Sequence, residues 1–152
     1  MSITSHIAKH LREVYFGGNW TAVNFRDTVS DITWEQATAK VQDFNTILTL
    51  VYHMHYYVHE ITKVLEGGPL TSKDEYSFSH PPIQSEEEWQ ALLNHYWKEA
   101  EHFIGLIEKL PDSILAEDFT DAKYGIYYRN LSGIVEHTHY HLGQIRLLKK
   151  MV

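Results

Sequence analysis

The chain has 152 residues, 43% hydrophobic and 22% charged, with a formal net charge of −7 and no cysteine. That length and balance fit one globular domain over residues 1–152 with a single sizeable core. The acidic charge argues against a nucleic-acid binder, and the lack of cysteine removes disulfides, thiolate metal ligands and a thiol nucleophile.

Residues 6–16 read as a first helix, capped by Ser5 and stopped by Gly17-Gly18, since glycine readily takes the left-handed conformation that ends helices. Residues 19–31 are mixed and read as loop, and Trp34-Glu35-Gln36-Ala37 after Thr33 reads as a short helical turn. The second main helix is expected from about Asp43 to Glu66. Phe44, Ile47, Val51, Met54, Val58, Ile61 and Leu65 step by three and four along it, as a core-facing stripe does. Residues 67–84, with Pro69, Pro81 and Pro82, form a connection long enough to carry a role of its own.

Ser85-Glu86-Glu87-Glu88 has the form of a capping box and opens a third helix. Trp89, Leu92, Tyr96, Ala100, Phe103 and Ile107 lie on one face of that helix, which ends near Pro111. A short segment, Ser113 to Phe119, precedes a fourth helix over about Gly125 to Met151. Four amphipathic helices without strand alternation predict an all-α fold, an antiparallel four-helix bundle with a short extra helical turn and long loops. No basic region followed by an apolar core opens the chain, and no apolar run approaches the roughly 18 residues that span a bilayer. The expectation is a cytoplasmic protein without nucleic-acid or membrane partners. Its Trp and Tyr content leaves room for a homodimer interface.

Eleven histidines include three pairs spaced i, i+4: His6/His10, His55/His59 and His137/His141. At about 100° per residue, His137 and His141 fall on the apolar face of the fourth helix with Tyr127, Leu131, Ile134, Ile145 and Leu148, while His139 points away. Two inward imidazoles one turn apart are hard to satisfy with ordinary hydrogen bonds, and an unpaired one costs about 1–3 kcal/mol. Joint ligation of a divalent ion satisfies both, and is favoured over a pair of core histidines bonded to Tyr or Glu. A third histidine would complete an open site. On the second helix His53 and His55 both border the apolar stripe, and periodicity does not choose between them; His6, His10 and His59 look peripheral.

The run His137-Thr138-His139-Tyr140-His141-Leu142-Gly143-Gln144-Ile145 resembles the His-x-x-x-His-x-Gly-Gln ending of the DinB-like (YfiT-like) superfamily of four-helix metalloproteins. Ile47-Leu48-Thr49-Leu50-Val51-Tyr52-His53 resembles that family's lone histidine after an apolar run, and Gly17-Gly18-Asn19-Trp20 its loop after the first helix. The resemblance implies a metal triad of His53, His137 and His141, and it alone selects His53 over His55. Three neutral imidazoles accept zinc or nickel, with iron or manganese as other occupants, and the resemblance further implies a small thiol such as mycothiol or bacillithiol as co-substrate for transfer to a small-molecule substrate. Metal-dependent hydrolysis and a non-catalytic metal- or ligand-binding bundle are the competing readings, followed by a bundle whose histidines are structural. Gln144, on the flank of His137 and His141, could orient a ligand or touch substrate. Glu60, seven residues after His53, could act as a base or bind that ligand's other nitrogen, although an ordinary solvated position suits it better.

Overall fold

The computed structural model describes residues 1–152 and is all-helical, without strands. Six α-helices follow in order: α1 (Ile3–Phe16), α2 (Phe25–Val29), α3 (Trp34–Thr38), α4 (Ile47–Leu65), α5 (Glu86–Glu108) and α6 (Tyr127–Leu148). Helices α1 and α4 each pack against both α5 and α6. One cluster of 32 buried apolar residues draws on all six helices, so they share one interior. No helix is long and apolar enough to cross a membrane.

The ends of the elements show which local chemistry prevails. Helix α1 starts at Ile3, capped by Ser2 rather than Ser5: Ser2 Oγ accepts from Ser5 N at 3.1 Å. The distant Asp112 carboxylate accepts from Ile3 N and Thr4 N at 3.0 and 2.9 Å, which satisfies amides that the first turn leaves open. Gly17 ends α1 at φ 116°, in the left-handed region that a side chain would strain.

The stretch expected as loop contains α2, capped by Asn24 and anchored by the buried Phe25 and Val29. The box at Thr33 and Gln36 opens α3. Helix α4 begins at Ile47, capped by Thr46, not at Asp43, so Phe44 is exposed rather than part of the apolar stripe. At α5 only half of the expected box forms. Ser85 accepts from Glu88 N, but the Glu88 carboxylate accepts from Gln84 N. The Ser113–Phe119 segment contributes a 3-10 turn over Asp112–Ala116, and α6 starts at Tyr127. Trp89 on α5 is fully buried and donates Nε1–H to Ile32 O at 2.8 Å, tying the core to the turn before α3.

The 67–84 connection runs as a strap antiparallel to α4. Thr71 meets Glu60, Lys73 meets Tyr56, Asp74 meets Tyr57, Ser77 meets His53, and His80 meets Thr49. From Thr71 to His80 the partners on α4 descend from Glu60 to Thr49, about a turn at a time apart from the adjacent pair Tyr56 and Tyr57. This spacing lays one polar stripe of α4 against one continuous segment.

Candidate metal centre

Helices α4 and α6 bring His53, His137 and His141 together, with one nitrogen from each within 4.8 Å of the others. His137 Nε2 lies 3.0 Å from His53 Nε2 and 3.1 Å from His141 Nε2. His53 and His141 are buried and His137 is half-buried. The one-turn offset within α6 stacks two imidazoles on its inner face, and α4 presents the third from across the helix pair.

Hydrogen bonds on the outer nitrogens decide which way these rings face electronically. Ser77 Oγ donates to Asp74 O at 2.7 Å, so its 3.0 Å contact with His53 Nδ1 is one in which the hydroxyl accepts. The His53 proton therefore sits on Nδ1 and leaves a lone pair on Nε2. Gln144 Oε1 accepts from His141 Nδ1 at 2.7 Å, with the same result for that ring. Two bare Nε2 lone pairs thus aim at a shared point beside His137 Nε2. Lone pairs at this separation repel unless a cation or a proton lies between them.

His137 Nδ1 is buried without a partner, so in the metal-free chain its proton belongs on Nε2, between the two lone pairs, and an ion at that point would have to displace it. The geometry and the donor set fit a divalent ion of the kind that imidazole ligates.

The electrostatics keep the rings neutral. Burial, followed by repulsion from His141 and His53, pushes His137 down to about 4. Burial also lowers His53, with His141 adding to the effect, and burial lowers His141 against the opposing hydrogen bond that it donates to Gln144. Neutral imidazole is the ligating form.

Aromatic rings wall the site. Phe78 stacks on His53 at 4.0 Å between centroids and 12° between planes. Tyr57 meets His53 and His137 edge-on at 5.3 and 5.1 Å. Gln144 also lines a mainly apolar cleft with Phe44, Leu50, Leu147 and Met151.

Glu60 does not serve the site as expected, nor is it solvated. It is buried, and its carboxylate accepts from Lys63 Nζ at 2.6 Å and Thr71 Oγ1 at 3.1 Å. The partner it was expected to provide for His53 is Ser77, from the strap. His55 turns to the other flank of α4, where it bonds Glu99. His6 and His10 are exposed, while His139, expected in solvent, is half-buried and close enough to His10 for the two to repel. A hydroxyl 24 residues from its histidine has no periodic signature. The signal available was the polar stripe Thr49, His53, Tyr56, Glu60 on α4, which needed a polar partner. Comparison of the chain with family models, curated proteins and solved structures returns no match.

Proposed function

We propose that this chain is a metal-dependent enzyme of the DinB-like type, its four long helices forming an antiparallel four-helix bundle, with His53, His137 and His141 holding one divalent ion. The observation that carries this reading is the convergence of three Nε2 atoms, two with lone pairs oriented by Ser77 and Gln144. Zinc or nickel suits three neutral imidazoles, and iron or manganese is also accommodated. Such an ion lowers the pKa of a water or thiol bound at an open position.

Within the chain, Ser77 and Gln144 hold two ligands in register, while Phe78 and Tyr57 shelter the rings. The apolar cleft beside Gln144 would take the body of a small-molecule substrate. Glu60, the carboxylate expected nearest the site, is engaged by Lys63 and Thr71. A hydrolase ordinarily positions a general base, whereas a small thiol brings its own nucleophile once deprotonated. This favours thiol S-transfer over hydrolysis. The engagement of Glu60 is equally what a non-catalytic metal-binding bundle would show, and the carboxylate of Asp74, held by Tyr57 beside His53, is the remaining candidate base.

Elemental mass spectrometry of tag-free protein beside His53→Ala and His141→Ala tests the reading. One ion lost in both folded variants, with thiol transfer to an electrophile lost in parallel, supports it. Metal binding without turnover across thiol and ester substrates would favour the non-catalytic bundle. No ion lost in either variant would overturn the site.

A further inference from the structure

Two hollows adjoin along the last turns of α6. One, of about 350 Å³, lies between α2 and the end of α6 and is lined by Asn24, Asp27, Thr28, Arg146, Lys149 and Lys150. The other, of about 680 Å³, is the mainly apolar cleft that Gln144 borders. Leu50 and Leu148 are buried there, while Phe44, Leu147 and Met151 are 53%, 67% and 53% exposed. Lys150 lines both hollows. Helical register explains the adjacency: residues 146, 149 and 150 share one face of α6 and its closing turn, and residues 144, 147, 148 and 151 share the next.

The charges of the first hollow are not all matched within the fold. Lys149 Nζ donates to Thr28 O at 3.1 Å and pairs with Asp31. Asp27 accepts from Asn24 Nδ2 at 2.8 Å and lies 3.9 Å from Arg26 Nε. Arg146 and Lys150 are exposed and enter no ion pair, so two cations border a hollow whose one carboxylate already has partners. Cations at a helix C-terminus are favourable on their own account, which explains the charge. It does not explain the large apolar side chains left open beside that charge, a combination that marks a binding surface. The cleft falls within the range of about 300–1,000 Å³ that small-molecule sites occupy. The formal net charge of −7 makes an anionic bilayer a poor occupant.

We propose that the two hollows form one binding site for a small anionic amphiphile, a carboxylate or phosphate head on an apolar chain, with the head at Arg146 and Lys150 and the chain between Phe44, Leu147 and Met151. Asp43, which also lines the cleft, repels a head placed among the apolar side chains and so sets the direction of binding. Gln144 borders the cleft and accepts from His141 Nδ1 at 2.7 Å, so the chain ends beside the residue that orients a proposed metal ligand. That such a molecule is the substrate rests on the function proposed above; its binding does not.

Calorimetric titration with decanoate, below its micelle concentration, tests the site. One molecule is expected to bind per chain, at least about tenfold more tightly than decyl glucoside, whose head is neutral, and less tightly as salt is raised. Arg146→Gln/Lys150→Gln and Leu147→Asp, all at exposed positions, should each weaken decanoate binding by about tenfold or more, with circular dichroism unchanged. His141→Ala should still bind decanoate, which separates failure of this site from failure of the metal centre. Absence of saturable binding, equal affinity for the glucoside, or an affinity unchanged in either variant overturns the proposal. So does sedimentation with anionic phospholipid vesicles, or a dimer in light scattering that Leu147→Asp dissociates, where decanoate does not bind.

Discussion

Ser77 Oγ and His53 Nδ1 lie 3.0 Å apart, and because the serine donates its own proton to Asp74 O, the histidine must donate to the serine. One residue of an irregular segment thereby sets the tautomer of a helical imidazole. Replacing Ser77 by Ala removes that constraint while leaving the backbone able to keep its turn. Zinc affinity, read by competition with a chromophoric chelator, is expected to fall about 10–100-fold, the usual cost of losing a partner behind a ligand. Gln144→Ala should act likewise through His141, and an unchanged affinity in both would count against the tautomer argument.

Acid should destabilise the metal-free protein in a defined window. The folded His137 titrates at about 4, below the ordinary 6.5, and His53 and His141 are shifted in the same direction. As pH falls through 6.5 the unfolded chain takes up protons that the native site still refuses, so the site's contribution to stability declines from there towards pH 4 and changes no further below, where carboxylates such as Glu99 take over the decline. In chelator, the urea midpoint of wild type should drop between pH 7 and pH 5. His137→Gln, which cannot take up that proton, should show a smaller drop.

The strap should be held by its rungs. Tyr56 OH accepts from Lys73 N and donates to Lys73 O, and Tyr57 OH donates to Asp74. Tyr56→Phe/Tyr57→Phe keeps the rings and deletes these bonds. Cleavage within residues 67–84 by a low-specificity protease is expected to accelerate several-fold, with the helical circular dichroism unchanged. Equal cleavage rates would show that Phe78 and Ser77 suffice to hold the segment.

Trp89→Phe probes the core. It leaves Ile32 O without its buried donor and opens a cavity, at a cost of about 2–4 kcal/mol. For a chain of this size that corresponds to a fall in melting temperature of about 5–15 °C by calorimetry.

The long helices and the pairing of His137 with His141 were legible because an apolar stripe at helical spacing leaves a strong periodic trace. Helix α2 was not, since five residues are too few for periodicity, and only its Asn24 cap marked it. The start of α4 was misplaced by four residues because Phe44 matched the stripe; Thr46, the residue that caps the helix, was the better guide. Choosing His53 over His55 took a resemblance, as both flank the stripe, and the structure separates them by what each meets across the helix. Glu60 shows the limit of a helical projection: angle alone put it near His53, but the strap that engages it through Thr71 leaves no such trace.

His53 and His137 are 84 residues apart in the chain, although their nitrogens nearly touch. Bringing such distant points together in an unfolded chain is entropically costly, so few unfolded conformers would present all three nitrogens at once. An ion gripping them would act as a removable cross-link between remote parts of the sequence, binding the folded chain far better than the unfolded one. Its grip would then appear mainly as slower unfolding, with lifetime against proteolysis set by metal supply rather than by the core alone.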